Sequence, residues 1–318
     1  MKNAVFLNAS KVDFDKQLNF DALKKEVNIS LYDKTETGDM LSRVKGQQIV
    51  ITKEIPVGRE LLEKFPSGVE LICEAGTGYN NIDIKAAREK NITVCNIPSY
   101  SSNAVAQLAF SFILSFCSSL PAQQTMIREK NFDNFTKHLQ VKHFEVSGKT
   151  LGVIGAGKIA GEVIKKARAF DMKVLVYSRT RKDFKDENIR FVSLEELLRN
   201  SDFVTIHCPL TEDTRHLIDK EKLSWMKPAS YLINTSRGAI IREEDLVEAL
   251  TEKEIAGAAL DVVEREPASP DNPLFSLDNC IMTPHIGWQC LETRQRLVDM
   301  LTDNIHAFLA GNPQNTVN

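Results

Sequence analysis

"TLGVIGAGKIAGEVIKKARAF", residues 150–170, decides the fold. Its first part is a short apolar run, and its last part carries apolar residues at helical spacing. Between them Gly155-Ala156-Gly157-Lys158-Ile159-Ala160 fits the pattern G-x-G-x-x-G/A. In that pattern the first glycine allows a tight turn and the second lets the backbone approach a pyrophosphate. The third position takes a small residue so that the helix can pack on the strand, and Ala160 is small enough. N–H groups at the start of the helix then face the phosphates, where Lys158 adds positive charge. A glycine turn alone is common in α/β proteins. The strand–turn–helix context, followed by a further strand at "KVLVY" (173–177), makes this one a dinucleotide site.

The same rhythm runs outward in both directions. "AVFL" (4–7), "IVIT" (49–52), "ELIC" (70–73) and "ITVC" (92–95) precede the turn. "FVTIHC" (203–208), "YLINT" (231–235), "AGAAL" (256–260) and "CIMTP" (280–284) follow it. Amphipathic stretches such as 158–170 and 243–252 lie between them. Apolar strands alternating with helices predict α/β architecture, with two doubly wound parallel sheets. At 318 residues there is room for two domains. The boundary falls near "NIPSYSSNAVAQ" (96–107), with Ser102 or Asn103 expected to cap a long helix. "LAFSFILSFC" (108–117) reads as a buried part of that helix, being about half a membrane span. A last helix is expected over 288–310, stopped by Gly311 and Pro313.

Composition narrows the function. Hydrophobic residues at 42% and charged residues at 26% are ordinary for a globular protein. A net charge of −3 argues against binding nucleic acid by bulk charge. The N-terminus lacks the pattern of a signal peptide, and no membrane association is expected. Six cysteines show no metal-binding spacing, and they read as buried reduced thiols in a cytoplasmic protein.

Three polar residues stand just after apolar strands. Arg237 follows in "YLINTSRGAI", Glu266 in "ALDVVEREPASP" and His285 in "CIMTPHIGW". In open α/β sheets the carboxyl ends of the strands face the ligand crevice. Reducing a ketone needs a hydride on carbon and a proton on oxygen. Histidine can supply the proton near neutral pH, a carboxylate can orient the ring, and arginine can clamp a carboxylate and polarise a carbonyl. Proton transfer alone contributes about 100- to 10,000-fold in rate, roughly 3 to 5 kcal/mol. Singly, each residue reads as a surface or structural group; together with the nucleotide turn they read as one site.

Taken in order, "GVIGAGKIA", "INTSRG", "ALDVVEREP" and "TPHIGW" resemble the signature segments of the D-isomer-specific 2-hydroxyacid dehydrogenases, over essentially the whole chain. "GTGYNNID", "HIGWQCLETRQRL" and "GNPQNTVN" place it nearest the glycerate dehydrogenase, or hydroxypyruvate reductase, branch. The resemblance implies a Rossmann nucleotide domain (100–287) inserted in a flavodoxin-like substrate domain (1–99 and 288–318), and a homodimer. It implies His285 as proton donor and acceptor, Glu266 as its partner and Arg237 as the substrate clamp. Gly155, Gly157, Lys158 and Ile159 would hold the cofactor, with Cys208, Pro209 and Thr235 lining its cleft and Asp261 meeting the nicotinamide carboxamide. Thr77 and Gly78, in "EAGTGYNNID" (74–83), would hold the substrate carboxylate, with Asp83 capping the next helix. Lys53 either adds charge at the substrate mouth or is an exposed loop lysine. Trp288 either covers a small substrate or packs structurally.

One segment departs from the family. In "KVLVYSRTRKD" (173–183) the position that usually holds an acid for the ribose of NAD is Ser178. An acid would repel a 2′-phosphate, so its absence favours NADP. Ser178, Arg179 and Thr180 would then meet that phosphate, with Arg181 helping. The implied activity is the reversible NAD(P)H-dependent reduction of a short 2-keto acid, hydroxypyruvate or glyoxylate. Two alternatives share the architecture: a nucleotide-sensing regulator of the corepressor type, and a formate or phosphite dehydrogenase. The corepressors tend to carry tails, so a chain ending soon after its last helix favours the enzyme.

Overall fold

β-branched runs that are apolar on both faces form parallel strands here, covered on each side by helices. The computed structural model describes residues 1–180 and 186–318. Arg181 and Lys182, at the end of the basic run, lie outside the described residues. Two units emerge: Met1–Ser101 with Trp288–Asn318, and Ser102–Gly287.

In the first unit β1 (Asn3–Phe6), β2 (Asn28–Leu31), β3 (Ile49–Thr52), β4 (Leu71–Glu74) and β5 (Thr93–Cys95) pair in the order β2-β1-β3-β4-β5. Every pairing is parallel, and Thr52 stands beside Glu74. This is the flavodoxin-like order. Side chains alternate between two cores, as a strand period of two requires. Phe6, Ile49 and Ile51 pack on one face with Leu297, Leu301 and Ile305 of the last helix. Val5, Leu7 and Val50 pack on the other with Met40, Leu62 and Ala86. The short helices of this unit are α1 (Asp21–Glu26), α2 (Met40–Val44), α3 (Arg59–Glu63) and α4 (Ile84–Glu89). Asp83 caps α4 as expected, accepting the Ala86 N–H at 2.9 Å.

The second unit begins with α5 (Ser102–Cys117), α6 (Leu120–Arg128) and α7 (Asp133–Thr136). Its strands are β6 (Thr150–Ile154), β7 (Lys173–Tyr177), β8 (Ile189–Phe191), β9 (Phe203–Ile206), β10 (Tyr231–Asn234), β11 (Gly257–Leu260) and β12 (Cys280–Met282). Their order is β12-β11-β10-β9-β6-β7-β8, all parallel. Strand order reverses between β6 and β9, which is where a doubly wound sheet opens its ligand crevice. α8 (Lys158–Ala169) packs Val163, Ile164 and Ala167 with Phe110 and Ile113 of α5 on one face. On the other face lie α9 (Leu194–Asn200), α10 (Lys220–Ser224) and α11 (Glu243–Thr251). The chain returns to the first unit through α12 (Leu291–Leu309), followed by Gly311 at φ +79°.

Three expectations change. β2 and β8 were not anticipated: both are edge strands, the first largely exposed and the second only three residues long. Neither carries the long apolar run that marks a buried strand. The expected cap of α5 is also absent. Ser102 is already helical and its buried Oγ has no partner, while Asn103 Oδ1 accepts from Lys166 at 2.6 Å. All six cysteines are free, but Cys208, Cys280 and Cys290 are only half-buried. Among the described residues, no single helix is long and apolar enough to cross a membrane.

Candidate active site

The glycine turn is built for a ligand. Gly155 has φ +106°, and a Cβ there would lie 2.6 Å from the His207 carbonyl oxygen. The turn after β6 therefore rests on the end of β9 with no room for a side chain. Gly157 is different: a Cβ there would meet nothing within 4 Å. It begins α8 with extended backbone and no side-chain cap. The N–H groups of the first helical turn, at Lys158, Ile159 and Ala160, lack acceptors within the helix, so this end is suited to an anion. Thr235 points to the same fit, because its buried Oγ1 has no partner in the structure. Nearby, Ser236 Oγ donates to the Cys208 carbonyl at 2.5 Å, and Thr214 Oγ1 to that of Pro209 at 2.7 Å. These residues fit a dinucleotide.

His285 follows β12 and Glu266 follows β11; His285 Nδ1 lies 2.9 Å from Glu266 Oε2. His285 is held at φ +55°, a region disfavoured for residues with a side chain. The cause is Asp261. Its carbonyl accepts the His285 N–H at 2.8 Å. Its carboxylate accepts the N–H of Ile286 at 2.8 Å, that of Gly287 at 2.9 Å and the hydroxyl of Thr283 at 2.6 Å. Asp261 is 2% exposed, and burial pushes its carboxyl above the usual carboxylate value. Asp261, which the family resemblance places at the nicotinamide carboxamide, also shapes the histidine turn.

Arg237 follows β10, exposed, with its guanidinium on the Ser236 carbonyl at 2.8 Å. Buried Asn234 sets this turn, donating to the Arg237 carbonyl at 2.9 Å and accepting the Ser236 N–H at 3.0 Å. A Cβ on Gly238 would fall 1.9 Å from the Val263 carbonyl. The Arg237 turn therefore lies directly against the segment that leads to Glu266. Asn234 and Gly238 were not singled out in the sequence, although both sit inside the "INTSRG" segment.

In the first unit Lys53 is 4% exposed, which removes the reading of an exposed loop lysine. Its ammonium pairs with Glu54 and lies 4.3 Å above the Trp288 ring. Trp288 is 8% exposed and belongs to the core beside Ile97 and Leu297. Thr77 Oγ1 donates to the Ile97 carbonyl at 2.9 Å, and the Thr77 carbonyl accepts from Asn96 at 2.7 Å. Those bonds pin the turn that carries Gly78.

At the end of β7, Ser178 Oγ accepts the Thr180 N–H at 3.3 Å. Arg179 ion-pairs with Asp213 at 3.2 Å, both side chains exposed. Asp213 lies 34 residues further along, so no local pattern announces it. His207 was also passed over. It is buried with Nε2 on Thr205 at 2.8 Å and Nδ1 without a partner, and burial depresses its pKa to about 3.

A parallel α/β unit with this turn, and with paired His and Glu at its strand ends, defines a nicotinamide-dependent oxidoreductase. The family profile described as D-isomer specific 2-hydroxyacid dehydrogenase, NAD binding domain, matches residues 110–287. A hydroxypyruvate reductase of Blautia hydrogenotrophica is 39% identical over 294 residues, covering 91% of each chain. A glyoxylate reductase of Korarchaeum cryptofilum is 38% identical, covering 83% of this chain and 80% of that one. The crystal structure of a D-lactate dehydrogenase from Aquifex aeolicus, complexed with NAD and lactic acid, superposes with a TM-score of 0.85. It is 30% identical and covers 98% of this chain and 96% of that one. The chain belongs to the D-isomer specific 2-hydroxyacid dehydrogenases.

Proposed function

We propose that this enzyme reversibly reduces a short 2-keto acid, hydroxypyruvate or glyoxylate, to the D-2-hydroxy acid, with NADPH as its preferred reductant. The 2.9 Å pairing of His285 Nδ1 with Glu266 carries the reading. It orients the ring, and Nε2 would carry the transferable proton. The bound nicotinamide supplies the hydride. His285 gives its Nε2 proton to the carbonyl oxygen and takes it back in the reverse direction. Glu266 holds the ring in one orientation throughout. Arg237 pairs with the substrate carboxylate and polarises the adjacent carbonyl. Backbone N–H groups at Thr77 and Gly78 bind the carboxylate, Lys53 contributes positive charge, and Trp288 supports that lysine.

Gly155, Gly157, Lys158 and Ile159 hold the pyrophosphate, while Cys208, Pro209, Thr235 and Asp261 line the nicotinamide side. Ser178, Arg179 and Thr180 meet the 2′-phosphate; the absence of an acid at the end of β7 supports this. Residues 1–99 with 288–318 serve as the substrate domain, and 100–287 as the nucleotide domain. The relatives named hydroxypyruvate and glyoxylate reductase support the substrate class.

A homodimer in the cytoplasm is part of the proposal. Leu120, Ile127, Phe132, Phe135 and Leu139 expose apolar side chains along one stretch, and α6 buries no residue of its own. Such a surface calls for a partner. Light scattering on the purified protein tests this, and a monomer at micromolar concentration contradicts it. Initial rates with NADH and NADPH against glyoxylate, hydroxypyruvate, pyruvate and an aromatic keto acid test the activity. Preference for the aromatic acid, or for NADH, contradicts the corresponding clause.

A further inference from the structure

Glu74 ends β4 and has no part in the chemistry above. It is 0% exposed, an unusual place for a carboxyl. Glu74 Oε1 accepts the N–H of Glu54 at 3.0 Å, and Oε2 accepts from Asn81 Nδ2 at 2.9 Å. Asn81 Nδ2 also donates to the Ile55 carbonyl at 2.8 Å, and the Asn81 carbonyl accepts the Val57 N–H at 2.7 Å. One buried side chain thus ties the segment after β3 to the loop after β4. Glu54 sits at φ +61°, a conformation disfavoured for a residue with a side chain, and Glu74 holds its N–H there.

The glycine of that loop is bracketed. A Cβ on Gly76 would lie 3.3 Å from Lys53 Nζ and 3.4 Å from Glu74 Oε1. Ammonium and carboxyl therefore lie directly beneath the Gly76-Thr77-Gly78 turn. We propose that Glu74 is a positioning residue that fixes this turn and Lys53 for an anionic substrate, and that its ionisation weakens substrate binding. The proposal rests on the reading of Thr77 and Gly78 as the carboxylate-binding turn.

Lys53 and Glu54 face Glu74 from the segment after β3, and Lys11 reaches Glu54 at 3.9 Å from the far side. Asn81 faces it from its own loop, buried Thr52 stands beside it in β3, and the Cys73 thiol precedes it in β4. With Glu74 protonated, Lys53 and Glu54 cancel. Ionising Glu74 adds one further negative charge to this group, under the turn proposed to hold an anion. Burial pushes this carboxyl up to about 7, so the change falls within the working pH range.

The test is a pH series of KM and kcat for hydroxypyruvate, from pH 6 to 8.5, on the wild-type enzyme and Glu74→Gln. The wild-type KM should rise about three- to tenfold, the effect of one unit charge within about 10 Å of an anion. In Glu74→Gln that rise should flatten to within about twofold, while the pH profile of kcat keeps its wild-type shape. Cofactor binding, followed by fluorescence, checks that the variant is folded. Amide exchange supplies a readout free of turnover: Glu74→Ala should speed exchange at least about tenfold over 54–57 and 75–82. A Glu74→Gln KM that follows the wild-type at every pH, or unchanged exchange in Glu74→Ala, overturns the proposal. Failure of the wild-type to turn over any keto acid instead overturns the activity, and with it the KM clause.

Discussion

His285 is held in its left-handed conformation by Asp261, whose carbonyl takes the His285 N–H at 2.8 Å while its carboxylate gathers the two N–H groups that follow. The relationship sets the backbone of the residue whose imidazole meets Glu266, and it does so through a buried acid. We expect Asp261→Ala to lower kcat at least tenfold. Unfolding stability should fall by about 2–4 kcal/mol, since buried N–H groups lose a charged acceptor. Urea unfolding and steady-state rates measure both, and an unchanged kcat would show that the turn holds itself.

Glu266 is expected to act through its charge as well as through orientation. In Glu266→Gln the side chain keeps its shape but cannot stabilise a positive ring, so kcat should drop about 10- to 100-fold. KM for the cofactor should stay within about twofold. A loss of cofactor affinity as large as the loss of kcat would place Glu266 in a different role.

The two glycines of the nucleotide turn should fail differently. Gly155→Ala meets the His207 backbone and a strained φ, so it should lower the melting temperature. Gly157→Ala meets no protein atom within 4 Å. It should leave the melting temperature alone and weaken cofactor binding at least about tenfold, because the added methyl occupies the pyrophosphate's place. Equal cofactor affinity in Gly157→Ala would remove the turn from the binding site.

Arg179 already has an anionic neighbour in Asp213. A 2′-phosphate bound as proposed would compete with it. Asp213→Ala should therefore raise kcat/KM for NADPH by about two- to fivefold, as expected for an exposed pair, with little change for NADH. A uniform change for both cofactors would contradict the role given to Arg179.

Glu74 also links stability to pH. Burial pushes its carboxyl up to about 7 in the fold from a usual 4.5. Between these values the unfolded chain loses the proton that the fold keeps. This contribution is therefore full below about pH 4.5, declines as pH rises to 7 and is flat above. The difference is on the order of 3 kcal/mol at most. Glu74→Gln should lack this decline in urea titrations at pH 5 and pH 8. A variant with the wild-type slope would assign the decline elsewhere.

Much of the fold was legible because the central strands carry apolar runs on both faces, as at Ile49–Thr52 and Lys173–Tyr177. The edge strands β2 and β8 were not, since a strand with one neighbour and exposed faces needs no such run. Arg237, Glu266 and His285 drew attention in the sequence because each stands just beyond a strand. The polar groups that hold the surrounding turns and loops could not be picked out this way. Asp261 and Glu74 act through backbone N–H groups at φ values that no local pattern reveals, and Asp213 meets Arg179 only after the chain folds back. Of the two readings of Lys53, the exposed one fails because its cover, Trp288, lies 235 residues away in sequence.

The central claim is that His285 supplies the proton for reduction of a short 2-keto acid. Single-turnover reduction of hydroxypyruvate by enzyme preloaded with NADPH, compared between wild-type and His285→Ala, tests it most directly. We expect the variant to bind NADPH as tightly as the wild-type and to oxidise it about 100- to 10,000-fold more slowly. Near-equal single-turnover rates, with intact cofactor binding, would contradict the account.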